Sequence, residues 1–111
     1  MAQPLGGVVP PSNYWPLVKN ICERYGILLI FDEVITGFGR LGEWFGSDFV
    51  NVTPDIMSVA KGMTSGYFPL GGSIASLEVS KIFDGDKNNS FKHMFTYSGH
   101  PGVTSAALTN I

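Results

Sequence analysis

Ile27-Leu28-Leu29-Ile30-Phe31-Asp32-Glu33-Val34 is the stretch on which the fold turns. Five apolar residues run directly into two acids. A continuous apolar run of this length reads as a strand, Ile27–Phe31, covered on both sides in a parallel sheet. Before it, Tyr14–Tyr25 reads as a helix that Gly26 ends. Trp15, Val18, Ile21 and Cys22 recur on one helical face, and Ser12 or Asn13 serves as the cap. Gly6–Asn13 is a loop. Beyond the acids, Gly37, Gly39, Gly42 and Gly46 punctuate a long loop that carries Phe38, Trp44 and Phe45. Pro54-Asp55 turns into a short strand reaching Ala60, and Gly72–Ser76 reads as another strand. Leu77–Phe83 is a short helix, Asp84–Ser90 a polar loop, and Gly102–Ile111 the start of a further helix. Helices alternating with strands indicate an α/β fold.

The chain has 111 residues, the length of one small domain, with 44% apolar and 14% charged residues. So little charge on a small domain implies apolar surface that meets another segment or subunit. A net charge of -2 argues against nucleic-acid binding through a basic face. The single cysteine, Cys22, has no partner for an internal disulfide and reads as a small buried hydrophobe in a reducing compartment. Met1–Gly7 lacks the basic and apolar regions of a signal peptide, and no stretch approaches the roughly 18 apolar residues of a membrane span. A cytoplasmic location is expected. The histidines and acids lack metal-ligand spacing, so no metal is expected.

Asp32-Glu33 at a strand end also resembles the magnesium-holding acid of an ATPase. That chemistry needs a glycine-rich phosphate loop, G-x-x-x-x-G-K-[ST], and the sequence has none. A different partner is present: Lys61, 29 residues after Asp32, in Ser58-Val59-Ala60-Lys61-Gly62. Its flanks are small and apolar. A lysine in an apolar pocket becomes a nucleophilic amine able to form a Schiff base. An acid at a strand end and a lysine in a tight turn are the two side chains that pyridoxal 5'-phosphate (PLP) chemistry requires. One keeps the ring nitrogen protonated and the other holds the aldehyde.

Four blocks then carry a family resemblance. Phe31-Asp32-Glu33-Val34-Ile35-Thr36-Gly37-Phe38-Gly39-Arg40-Leu41-Gly42 resembles the signature of class III PLP-dependent aminotransferases, the omega-amino-acid transaminases. Pro54-Asp55-Ile56 leading to Ala60-Lys61-Gly62 resembles the family's cofactor-lysine segment. Thr64-Ser65-Gly66-Tyr67 with Pro69-Leu70-Gly71 is similar to the loop that follows it. Phe95-Thr96-Tyr97-Ser98-Gly99-His100-Pro101 resembles the family's T-[YF]-[SG]-G-[HN]-P block. The resemblance runs from about Gly6 to Ile111. It implies the large PLP-binding domain of an aspartate-aminotransferase-like, fold type I enzyme with a mostly parallel sheet, represented here by residues 1–111.

The implied roles follow residue by residue. Asp32 matches the partner of the pyridinium nitrogen, Val34 the residue that packs on one ring face, and Lys61 the Schiff-base lysine. Freed by the substrate amine, Lys61 also moves the proton. Thr96 matches a phosphate ligand that crosses to the cofactor of a neighbouring subunit, and Phe95 beside it is expected to supply backbone contact. The implied assembly is a homodimer or a dimer-based oligomer. Glu33 is expected to orient its neighbours. Arg40 either pairs with an acid or shapes the loop, while Trp44 and Phe45 belong to core or interface, and His93 and His100 hydrogen-bond within loops.

The resemblance implies transfer of an amino group from an omega-amino acid or amine to a keto acid such as pyruvate. Related outcomes are an aminomutase, a dialkylglycine-type decarboxylase, or a noncatalytic interface-forming piece. The sequence also departs from the family. The upstream phosphate-binding loop and ring-covering aromatic are absent, as is the downstream small domain with its carboxylate-binding arginine. Met94 stands where a glycine usually follows the block's histidine. The chain is therefore expected to be part of a larger product and to bind PLP poorly by itself.

Overall fold

The computed structural model describes residues 2–3, 6–85 and 87–111. The expectations for Met1–Gly7, for the domain span 1–111 and for the polar loop around Asp86 lie partly outside those residues. Two short strands, β1 (Ala2–Gln3) and β2 (Gly6–Gly7), pair antiparallel at the start. Thus Gly6 and Gly7, expected in a loop, are in a strand pair. Helix α1 (Tyr14–Tyr25) follows, then β3 (Ile30–Asp32), α2 (Gly46–Val50) and β4 (Ile56–Ala60). A 3-10 turn at Lys61–Thr64 leads to β5 (Gly71–Ala75) and α3 (Leu77–Ser80), with a second 3-10 turn at Lys81–Phe83. Helix α4 (Pro101–Asn110) ends the chain. None of the described helices is long and apolar enough to cross a membrane.

Helix α1 has the expected bounds. Gly26 takes the left-handed conformation (φ 64°), and its N–H and that of Ile27 bond back to the last turn. Two expectations change. Asn13 sits at the cap with helical backbone angles and makes no side-chain capping bond. Ile21 is 55% exposed. At 100° per residue it lies about 120° around the helix from Trp15, off the face that Trp15, Val18 and Cys22 share. Those three pack on a core of Leu29, Phe31 and Val52, with the Trp15 and Phe31 ring centroids 4.9 Å apart.

The central strand also differs from its expected Ile27–Phe31 span. Ile27 N–H is taken by Cys22, and Leu29 bonds to Asp55 through N–H (2.7 Å to Oδ2) and carbonyl (2.9 Å from the Asp55 N–H). Sheet pairing therefore begins at Ile30 and includes Asp32. Nor is the strand covered on both sides. Leu29 and Phe31 face α1, whereas Leu28 and Ile30, on the alternate face, are 54% and 58% exposed.

The sheet is three-stranded, in the order β3-β4-β5. β3 and β4 run parallel, with Ile30 opposite Ile56 and Asp32 opposite Ser58. β4 and β5 run antiparallel, with Ala60 opposite Gly71. Connection length explains the difference. The segment between β3 and β4 is long enough to contain α2 and return to the starting end of the sheet. The stretch 61–70 is shorter than a parallel crossover, which takes a dozen or more residues, so the chain doubles back.

Candidate active site

β3 and β4 end side by side, and each delivers one of the expected side chains at its carboxyl end. Asp32 closes β3 and is exposed, with Oδ1 accepting the Val34 N–H at 3.1 Å. That bond turns the chain out of the strand and steadies the carboxylate. Lys61 follows β4 immediately, three residues beyond the position opposite Asp32. In open α/β sheets, ligands bind in the crevice outside the carboxyl ends of parallel strands. Val34 is half-buried just after β3.

Glu33, between Asp32 and Val34, points the other way and is only 1% exposed. Its carboxylate accepts the N–H groups of Gly46 (2.9 Å) and Ser47 (2.7 Å) and the hydroxyl of Thr36. Phe45, at the start of α2, has no side-chain acceptor, so Glu33 caps that helix from 13 residues upstream. Its own N–H bonds the Ser58 carbonyl at 2.8 Å. Glu33 thus ties the end of β3, the start of α2 and β4 together, the orienting role expected for it. Gly46 is required there: a Cβ would lie 2.9 Å from Glu33 Oε2.

The lysine turn carries local strain. Lys61 has φ 45° and Ser65, which closes the turn, has φ 50°. Left-handed backbone costs a non-glycine residue roughly 1–2 kcal/mol, so surrounding contacts must hold the turn. Gly62 packs so closely on the 37–38 loop that a Cβ would come within 3.1 Å of Phe38 Cβ and 3.2 Å of the Gly37 carbonyl. Phe38 is itself left-handed (φ 59°), pinned by a 2.6 Å bond from its N–H to the Trp44 carbonyl and by Phe45, 5.4 Å between ring centroids. Thr64 is 1% exposed, and its hydroxyl donates to the Phe68 carbonyl at 2.6 Å.

Lys61 lies in an open cleft walled by Phe38, Arg40, Phe68, Pro69 and Leu70. The expected apolar enclosure is thus only half built: the amine is exposed, and Arg40 shares its cleft. Arg40 makes no ion pair among the described residues and lines the cleft. Phe45 is half-buried against Phe38, whereas Trp44 is 56% exposed.

Phe95 and Thr96 stand apart. They belong to an exposed turn in which Ser98 N–H bonds the Phe95 carbonyl at 2.9 Å, and neither lines the Lys61 cleft. The structure therefore sets Asp32 and Lys61 at the carboxyl ends of adjacent strands, with Val34 just beyond β3, and of the five expected residues Lys61 alone lines the cleft. His93 is set between Phe91 and Phe95 by ring contacts of 5.8 and 6.0 Å in place of the hydrogen bonds expected of it. His100 bonds through its backbone, accepting from Thr104. Sequence reasoning missed Ser65 and Asn110. Asn110 donates to the Gly62 carbonyl at 2.9 Å, and the Ser65 hydroxyl donates to Asn110 Oδ1. No local pattern announces a contact spanning 48 residues.

The family model for class-III aminotransferases matches residues 2–111. The putrescine–pyruvate aminotransferase of Pseudomonas aeruginosa is 48% identical, across 100% of this chain and 25% of that protein. An (S)-enantioselective omega-transaminase from Thermomicrobium roseum superposes with a TM-score of 0.85 at 53% identity, covering 93% of this chain and 23% of that one. An amine transaminase from an uncultivated Pseudomonas species, solved with PLP bound, gives 0.86 at 47% identity, covering 93% and 24%. The chain spans about a quarter of the length of these relatives. The strand-end acid, the lysine turn and a match along the described length lead to one conclusion: this chain belongs to the class III aminotransferase family.

Proposed function

We propose that this chain is the central part of a PLP-binding domain, and that the whole protein transfers an amino group from an omega-amino acid or amine to a keto acid such as pyruvate. The observation that carries the reading is the placement of Asp32 and Lys61 at the carboxyl ends of two adjacent parallel strands. This donor set fits PLP: an exposed carboxylate steadied by a backbone N–H, and an exposed amine on a strained turn.

Lys61 would hold the cofactor through its Nζ. Asp32 would keep a proton on the ring nitrogen through its carboxylate, and Val34, stiff and apolar, would present a flat surface to the ring. When bound, PLP supplies the electron sink that makes removal of a proton from the substrate carbon feasible. The Lys61 amine, when free, would be the base placed to take and return that proton. Phe95 and Thr96 are assigned to the phosphate of a neighbouring subunit's cofactor on the resemblance of their block to the family's, a role compatible with their exposed turn. A homodimer is the smallest assembly that allows this. Pyruvate as acceptor and a terminal amine as donor are taken from the putrescine–pyruvate relative.

The test is alanine formation by the whole protein from pyruvate and a series of terminal amines and omega-amino acids, with PLP present. Alanine formed one-for-one with amine consumed supports the reading. Release of carbon dioxide, or turnover without any keto acid, contradicts it in favour of a decarboxylase or aminomutase.

A further inference from the structure

We propose that Asn110 is a positioning residue for the lysine turn, fixing the backbone from which Lys61 presents its amine. The proposal rests on the reading of Lys61 as the cofactor-holding group. Asn110 is the last residue of α4, and its side chain crosses to both ends of the turn. Nδ2 donates to the Gly62 carbonyl at 2.9 Å, next to Lys61, and Oδ1 accepts from the Ser65 hydroxyl.

Those two ends are where the turn is strained. Lys61 and Ser65 are both left-handed without being glycine. At the Ser65 end a backbone bond resists relaxation, from Ser65 N–H to the Gly62 carbonyl at 3.0 Å. The same carbonyl receives Asn110, so a single acceptor is held from within the turn and from outside it. An asparagine suits the place because one side chain offers a donor to the carbonyl and an acceptor to the hydroxyl.

The opposite flank of the turn is fixed by the close contact of Gly62 with Phe38. Elsewhere α4 meets this region through small side chains, with Ser105, Ala106 and Thr109 lining a groove against Thr64 and Phe68. Asn110 is therefore the point at which α4 grips the turn, and Ser65, with Phe68, stands between that groove and the Lys61 cleft.

The experiment compares Asn110→Ala, Asn110→Asp and Ser65→Ala in the whole protein. Amide hydrogen exchange is followed at Ser65 and, as a remote reference, at Asp55, whose N–H bonds the Leu29 carbonyl. In parallel, PLP is titrated by its visible absorbance. Both Asn110 variants lose the bond from Nδ2 to the Gly62 carbonyl, worth about a factor of ten, and Asn110→Ala also loses the bond from the Ser65 hydroxyl; exchange at Ser65 is expected to quicken by at least that factor in both and to stay unchanged at Asp55. The PLP concentration for half-saturation should rise by a similar factor in both, and by less in Ser65→Ala.

Wild-type exchange at Ser65 in Asn110→Ala overturns the proposal. So does equal acceleration at both amides, which would mean an effect on overall stability. Faster exchange at Ser65 with unaltered PLP titration overturns the positioning role. A wild-type protein that shows no PLP absorbance would contradict the reading of Lys61 instead, and the exchange comparison would still decide whether Asn110 fixes the turn.

Discussion

Asp32 and Glu33 are adjacent in sequence and opposite in environment. The alternation of a strand sends Asp32 to the exposed edge and Glu33 inward, where its carboxylate accepts two N–H groups and a hydroxyl. Substitutions should separate the two. Asp32→Asn is expected to lower transamination on the order of 100-fold, the scale of losing one preorganised electrostatic partner, with the unfolding midpoint unchanged. Glu33→Ala is expected to cost roughly 2–4 kcal/mol in urea unfolding, because it leaves buried donors without an acceptor. Glu33→Gln, which keeps one acceptor oxygen, should cost less. An Asp32 variant that unfolds, or a Glu33 variant of wild-type stability, would contradict this division. The sequence announced the acid pair through the apolar run before it. It did not announce that Glu33 reaches α2, because that bond depends on how the loop 34–45 folds back.

Among the elements, the lysine turn depends on close contact on one flank. Gly62→Ala would place a methyl 3.1 Å from Phe38 Cβ and 3.2 Å from the Gly37 carbonyl. Both neighbours are backbone or next to it, so they yield poorly, and a loss of roughly 1–3 kcal/mol is expected in thermal or urea unfolding. PLP affinity should fall with it, since the displaced residue adjoins Lys61. Unchanged stability would show that the 37–38 loop moves freely. Legibility varied by element for physical reasons. Helix α1 was readable to the residue because Gly26 can take the left-handed stop. The start of β3 was not, because Leu29 bonds to Asp55, a partner 26 residues away. The reversal into β5 was latent in the short stretch 61–70. The Asn110 contact had no local signal.

The 111-residue chain taken by itself is open. Its accessible surface is 8414 Å² at 12.0 kDa, against roughly 6,000 Å² for a compact protein of that mass. Its radius of gyration is 15.8 Å, where about 13 Å is usual for 111 residues. Leu28 and Ile30 lie bare on one sheet face, and Tyr67 and Phe95 are likewise exposed. The low charge content foreshadowed this surface. The 111-residue chain by itself is therefore expected to bind a hydrophobic dye and to self-associate. A monomeric chain that leaves the dye dark would contradict that.

The most direct measurement is the visible absorbance of the whole protein loaded with PLP and dialysed, beside Lys61→Ala treated in the same way. A band that survives dialysis is expected in the wild type and is expected to be missing in the variant. A retained band in Lys61→Ala, or no band in either protein, would contradict the assignment of Lys61 as the residue that holds the cofactor.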